Sequence, residues 1–359
     1  MPEVRVPVRR VNLQWKLADL DAVPKNGRRV FSTFACGGGS TMGYKMAGFD
    51  VVAANDIDKE MRWHYERNHS PTFYFECPVK ELVEGHMPDE LYDIDVLDGS
   101  PPCSAFSTSG LRERVWGKEK LFREGQQKQI LDDLFFDFLD FADRIRPKII
   151  IAENVKGMLV GNTKGYTRMI LGRLASMGYR AQLFLCNAAD FGVPQWRERV
   201  FFVAIRGDLE APELVIRPTV TRHISVGEAI NDLVSVRDTS PRGVPKSCVG
   251  AWGQTVPGGF YEEYFVKHMG VRKYFTHGKI NPTKPCPTIQ SAWWRLHHWR
   301  EPRVLTLDEL IVLSSFPDDY DFKSTHIGGY IMGMSVPPRL MYGVVSAVVE
   351  QWLPCLPGG

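Results

Sequence analysis

From Val30 the chain alternates short apolar runs with stretches whose apolar residues recur at helical spacing. VFSTFA, starting at Val30, reads as a buried strand; a glycine cluster and a helix-like stretch ending at Gly48 follow. DVVAAND is a second strand and DKEMRWHYERN a helix. IDVLDG is a third strand, ILDDLFFDFLDFADRI a helix that ends before Pro147, and KIIIAEN a further strand. YTRMILGRLASMGY reads as a helix closed by Gly178, and YRAQLFLCN and VFFVAIR as two more strands. Strands alternating with helices predict a parallel sheet with helices on both faces, and sites at the carboxyl ends of its strands.

After Arg206 this regularity fades. Residues 207–300 are rich in Gly, Pro and aromatics without clear periodicity, which predicts a second, smaller domain. Helical spacing resumes in RVLTLDELIVLSSF and, beyond Pro337, in RLMYGVVSAVVEQWL. The first segment, residues 1–28, carries Arg5, Arg9, Arg10, Lys16, Lys25 and Arg28, which suits either a nucleic-acid arm or a solvated extension.

Composition narrows the class. Hydrophobic residues make up 44% and charged residues 24% of 359, ordinary for a soluble globular protein and incompatible with a disordered chain. No apolar run is long enough to span a bilayer, and MPEVRVPVRRVNLQW lacks the apolar centre of a signal peptide. Net charge is only +2, so any basic surface must be local. The 7 cysteines are widely spaced with no C-x-x-C pair, which argues against a disulfide framework or a zinc ribbon, and no metal is expected.

Three segments carry candidate chemistry. FACGGGSTMG joins a strand to a helix, where close backbone approach to a ligand needs residues without side chains. Met42 interrupts the dinucleotide fingerprint, so an adenosyl cofactor without phosphates suits the loop as well as a dinucleotide does, and a plain packing turn does too. Asp56 ends the next strand, placed to accept hydrogen bonds from ribose hydroxyls. DGSPPCSAFSTSG puts Cys103 after two prolines at a strand end; a thiolate there is a nucleophile if a neighbour favours ionisation, and otherwise a buried small residue. Glu153 and Asn154 end an apolar strand, where a carboxyl is poorly solvated and suited to donating a proton, or else caps the next helix or pairs with Lys156. Gln195, Arg197 and Arg199 precede the last strand, with the arginines two apart on one face, or bridged at the surface by Glu198.

Together and in this order, these segments resemble the DNA (cytosine-5) methyltransferases, bacterial or phage type. FACGGGSTMGYKMAGF is similar to the family's cofactor loop, NDID to its acidic segment, SPPCSAFSTSG to its nucleophile motif, ENVKGM to its glutamate motif and QWRERVFF to its Gln-x-Arg-x-Arg motif. KPCPTIQS, REPRVLTLDELIVLSSFPDDY and GMSVPPRL resemble its last blocks, so the match runs from about Val30 to Val345 with a gap at 207–280. The resemblance implies an α/β fold with a Rossmann-like, S-adenosylmethionine-dependent methyltransferase sheet and a small inserted target-recognition domain. It assigns 29–206 with 326–359 to the catalytic domain, 207–325 to target recognition and 1–28 to an N-terminal extension.

The implied catalytic residues are Cys103, Glu153, Arg197 and Arg199. Cys103 attacks carbon 6 of a flipped cytosine, Glu153 holds its ring nitrogen and amine, and Arg199, with Arg197 beside it, meets the base carbonyl. The basic loop Arg112, Arg114, Lys118, Lys120 and Arg123 closes over DNA, although Glu113, Glu119 and Glu124 among them also suit a solvated loop. The implied S-adenosyl-L-methionine site comprises Phe34, Gly38, Gly39, Asp56, Ile57, Pro102 and Ser335. Gln195, Thr288, Lys273 and Arg295 are the implied DNA contacts. The chain departs from the family pattern at Cys36 in place of the loop's first glycine, around Cys77 where an acid for the adenine amine is missing, and at Met334 in place of Asn.

Residues 264–300 hold Lys267, Arg272, Lys273, Lys279, Lys284, Arg295 and Arg300 with no Asp or Glu, interleaved with aromatics such as Trp293, Trp294 and Trp299. That pattern suits phosphate and base contact, with about half of the aromatics forming the small domain's core. The expected partner is double-stranded DNA, without a membrane or an obligatory protein partner, in the cytoplasm of a bacterial host. RNA as the methyl acceptor, an inactive DNA-binding homologue and a nicotinamide oxidoreductase are the competing readings.

Overall fold

Seven strands form the central sheet: β1 Arg29–Thr33, β2 Asp50–Asn55, β3 Phe73–Phe75, β4 Val96–Gly99, β5 Ile149–Val155, β6 Tyr179–Asn187 and β7 Glu198–Arg206. The computed structural model describes residues 13–102, 134–160, 163–238, 240–274 and 276–357, together with the backbone of a ribbon pairing Glu119–Lys120 with Gln129–Ile130. Strand order is β3-β2-β1-β4-β5-β7-β6. The first five strands run parallel. The all-parallel expectation is corrected at β7, which runs antiparallel to both β5 and β6. Residues 188–197, which join β6 to β7, are too few for the crossover of roughly a dozen or more residues that a parallel return needs.

Alternation along each strand sends neighbours to opposite faces. Phe31, Leu97, Ile150 and Phe202 pack on one face with α3, Leu134–Ile145, and α4, Lys164–Ser176. Val30, Val96, Ile151 and Phe201 pack on the other with α5, Pro338–Gln351, through Leu340, Val344 and Val348. Helix α1, Gly39–Met46, lies against α5 so closely that a Cβ on Gly43 would sit 2.5 Å from that of Met341.

Outside the sheet lie a small apolar cluster of Cys248, Ala251, Tyr261 and Phe265 and a larger third one. It joins Val226, Ile289, Trp293, Leu305 and Leu310 to Met42 of α1 and Met61 of α2, Lys59–His69, so this region is seated on the sheet's helices. Leu209 and Leu214 belong to the sheet core instead. From residue 13 onward the first segment is largely exposed but anchored at a few apolar positions. Leu13, Trp15 and Leu17 pack on the third cluster, and Trp15 Nε1 donates to the Ser315 carbonyl at 3.0 Å.

Candidate active site

β1 ends at Thr33, and the chain turns into α1 through left-handed backbone at Phe34, Cys36 and Gly38, with φ of 52°, 47° and 77°. A Cβ on Gly38 would lie 2.2 Å from His69 Nε2, and one on Gly39 2.2 Å from the Val336 carbonyl oxygen. The glycines therefore let protein pack against the loop, which brings Ser335 beside it. The Gly37 carbonyl accepts from Tyr320 Oη at 2.8 Å and lies 3.1 Å from His69 Nε2. Burial pushes His69 down to about 3, which keeps its ring neutral under the loop.

A narrow cavity of about 20 Å³, room for one small polar group, opens between this loop and the carboxyl ends of the strands, lined by Phe34, Cys36, Gly39, Asp98, Met334 and Ser335. Asp56 stands at the end of β2; its Oδ2 accepts from the Cys36 amide at 2.8 Å and its Oδ1 from the Asp58 amide at 2.9 Å. Burial raises its carboxyl to about 6 despite these bonds. Ile57 follows, half-buried. Ser335 Oγ is buried, with the Cys36 thiol as its neighbour. A buried hydroxyl, an acid at the second strand end and a turn free of side chains at Gly37–Gly39 fit the polar groups of S-adenosylmethionine. Cys36 and Cys77, the departures noted above, are thiols pushed up by burial to about 12 and about 11 and thus stay neutral. The Cys77 carbonyl accepts from Asn55 Nδ2 at 2.7 Å.

Sequence reasoning passed over Asp98, which ends β4 and is 2% exposed. Its Oδ2 accepts from Ser32 Oγ at 2.7 Å and its Oδ1 from Tyr44 Oη at 3.3 Å. Burial raises it to about 7. The available signal was an acid inside an otherwise apolar strand, DVLDG, at the edge where ligands bind.

Across Met334 lies a second, more open cleft of about 390 Å³, whose walls include Lys156, Arg197, Arg199, Thr288, Gln290 and Met334 itself. Glu153 Oε1 is 2.8 Å from Arg199 Nε, with the two side chains 10% and 14% exposed. The expected isolated carboxyl is thus ion-paired, and burial lowers Arg199 while Glu153 opposes the shift. Lys156 is taken by Glu198 at 2.9 Å. Asn154 Nδ2 donates to the Pro101 carbonyl at 3.0 Å, tying the end of β5 to the two prolines, of which Pro102 is half-buried. Cys103 and the basic residues Arg112, Arg114, Lys118, Lys120 and Arg123 lie outside the described residues.

Two expected contacts face inward instead. Gln195 is fully buried; its Nε2 donates to the Leu313 carbonyl and its Oε1 accepts from the Ile289 amide, each at 3.1 Å. Both ends of the amide are engaged, so it braces the protein rather than touching DNA. Arg197 is 2% exposed and donates to the carbonyls of Ile289 at 2.8 Å and of Gly333 and Ser335 at 3.0 Å each. It clamps the walls of both cavities, and its terminal nitrogens are not left for a reacting base. Thr288 lines the cleft and donates to the Trp196 carbonyl at 2.7 Å. Lys273 is exposed and Arg295 half-buried, and neither lines the cleft. Lys279 is buried with its ammonium 4.0 Å from the Trp252 ring centre, which removes it from the expected phosphate-binding set. Trp293 and Trp299 are core residues, as half of the aromatics were expected to be.

Known proteins match nearly the whole chain. A type II methyltransferase of Neisseria gonorrhoeae, M.NgoPII, is 26% identical over 350 residues, covering 90% of this chain and 96% of the relative. A second from the same organism, M.NgoFVII, is 29% identical and covers 89% of this chain and 85% of the relative. Among solved structures, a DNA modification methyltransferase assigned to an Escherichia coli prophage superposes with a TM-score of 0.65 at 21% identity, covering 90% of this chain and 99% of that one. The Dnmt2 methyltransferase of S. pombe superposes with a TM-score of 0.62 at 15% identity, covering 90% and 98%. The sequence profile of the C-5 cytosine-specific DNA methylases matches residues 28–350, so the chain belongs to that family, whose methyl donor is S-adenosylmethionine.

Proposed function

We propose that this protein methylates carbon 5 of cytosine at a specific sequence in duplex DNA, as the modification enzyme of a bacterial or phage-encoded system acting in the cytoplasm. The observation that carries this reading is the meeting of two cavities at Met334, one beside the glycine loop and one lined by Arg199, the ion-pair partner of Glu153. Phe34, Gly38, Gly39, Asp56, Ile57, Pro102 and Ser335 hold the cofactor. When bound, S-adenosylmethionine supplies an electrophilic methyl group on a sulfonium.

Cys103 attacks carbon 6 of the base as a thiolate, forming a carbon–sulfur bond and making carbon 5 nucleophilic. Glu153 holds a proton at the ring nitrogen and accepts from the exocyclic amine. Arg199 orients that carboxyl and meets the base carbonyl, where negative charge builds during attack. Once carbon 5 carries the methyl group, its remaining proton leaves to solvent, the electron pair returns to the ring and the Cys103 thiolate is expelled. Arg197 and Gln195 act as positioning residues that hold the cleft walls. The base must leave the duplex stack to reach the cleft, at a cost of roughly a few kcal/mol. Target recognition resides within 207–325, with Thr288 at the base pocket and Lys273 and Arg295 toward the DNA backbone, and 29–206 with 326–359 performs catalysis.

The test is incubation with S-adenosylmethionine and duplex DNA containing 5-fluorocytosine in varied contexts, followed by a denaturing gel. Fluorine blocks the final elimination, so a covalent complex that disappears in Cys103→Ser is expected. Trapping on RNA but not on duplex DNA, or no trapping on either, overturns the reading.

A further inference from the structure

Asp98 is a buried acid that the reaction above leaves without a task. Among the described residues its side chain has two partners, the hydroxyls of Ser32 and Tyr44, and no lysine, arginine or histidine is paired with it. Taking a carboxylate out of water is costly unless a positive group compensates, and two neutral hydroxyls compensate only in part. Asp98 also lines the narrow cavity beside the glycine loop, together with Phe34, Gly39 and Ser335. The methyl donor brings positive charge into that cavity at its methionyl end, on the α-ammonium and the sulfonium.

We propose that Asp98 is a cofactor-binding residue that receives the α-ammonium of the methionyl group, with Ser32 and Tyr44 orienting its carboxylate. The hydroxyls hold one oxygen each, which fixes the carboxylate plane and leaves a lone pair on each oxygen for a cation in the cavity. This deepens the methyltransferase reading and rests on it. The α-ammonium rather than the sulfonium is the partner because it is a hydrogen-bond donor, and a charge-assisted bond to a buried carboxylate is the stronger contact.

The test uses two ligands that both lack the sulfonium: S-adenosylhomocysteine, and its analogue with hydrogen in place of the amino group. Calorimetry on the full chain is expected to show Asp98→Asn, which keeps the shape and an acceptor, weakening S-adenosylhomocysteine about tenfold or more. The deamino analogue should bind wild type and variant within about twofold. Equal losses for both ligands, or no loss for either, overturn the proposal.

A second arm needs no variant. Burial holds the free Asp98 carboxyl at about 7, with Tyr44 of α1, Tyr65 of α2 and Glu153 of β5 the titratable groups that face it. Ammonium binding requires the ionised carboxylate, so lowering the pH from 8 to 6 should cost S-adenosylhomocysteine about tenfold in affinity relative to the deamino analogue. A preference that is the same at both pH values overturns the proposal. Wild type that binds neither S-adenosylmethionine nor S-adenosylhomocysteine instead overturns the methyltransferase reading itself.

Discussion

Removing Arg199 leaves the Glu153 carboxylate 10% exposed without its partner at 2.8 Å. Breaking a buried pair from one side costs about 3 kcal/mol or more, because the remaining charge stays desolvated. Arg199→Met should therefore lower stability by about that amount in urea denaturation. Adding Glu153→Gln should restore much of it, since no uncompensated charge then remains, while neither variant should form the covalent complex. A double variant no more stable than Arg199→Met would show that the pair is not energetically coupled. At this scale the sequence marks chemical types but not their neighbours. Cys103, Glu153 and Arg199 stood out because a thiol, an acid and a guanidinium at strand ends have few uses in a core. Gln195 and Arg197 stood out for the same reason, yet they serve backbone carbonyls and an amide whose positions only the fold supplies.

Among the elements, two glycines make a contrast. A Cβ on Gly39 would meet the Val336 carbonyl oxygen at 2.2 Å and Ser335 Cβ at 2.8 Å, and a backbone oxygen cannot swing aside as a side chain can. Gly172 lies exposed inside α4 with nothing within 4 Å of its ideal Cβ position. Gly39→Ala should cost roughly 2–3 kcal/mol through forced overpacking and displace the Ser335 segment from the cofactor loop. Gly172→Ala should stabilise by about 0.5–1 kcal/mol through better helix propensity. Thermal melts of the two variants moving in opposite directions would bear this out; a neutral Gly39→Ala would mean that the 335–336 segment yields freely. The elements themselves were legible because apolar alternation and helical spacing encode burial directly. The direction of β7 was not, because strand polarity depends on connection length and pairing rather than on the strand's own residues. The irregular stretch after Arg206 was legible only as a change of character. Its core assembles from single residues far apart in sequence, such as Val226, Ile289, Trp293 and Leu310.

The two cavities border one seam of the whole molecule. On one side of it lie the sheet and α1, and on the other the segments around Ile289, Leu313 and Gly333–Ser335. Gln195 and Arg197 cross it with five hydrogen bonds, all to main-chain groups. Main-chain partners have no rotamers with which to find replacements, so each bond lost leaves a buried polar group that costs about 1–3 kcal/mol. Gln195→Met keeps the volume and removes two of these bonds, those to the Leu313 carbonyl and the Ile289 amide. Hydrogen exchange at the Ile289 amide should then accelerate by roughly tenfold or more, the equivalent of about 1.4 kcal/mol of lost local stability. Because Arg197 joins Ile289 to Gly333 and Ser335, loosening at Ile289 should reach the cofactor side. S-adenosylhomocysteine affinity and 5-fluorocytosine trapping should fall together in Gln195→Met, although Gln195 lines neither cavity. Loss of trapping with unchanged cofactor affinity would instead place Gln195 in direct service of the base pocket, and the seam would not be the element that joins the two sites.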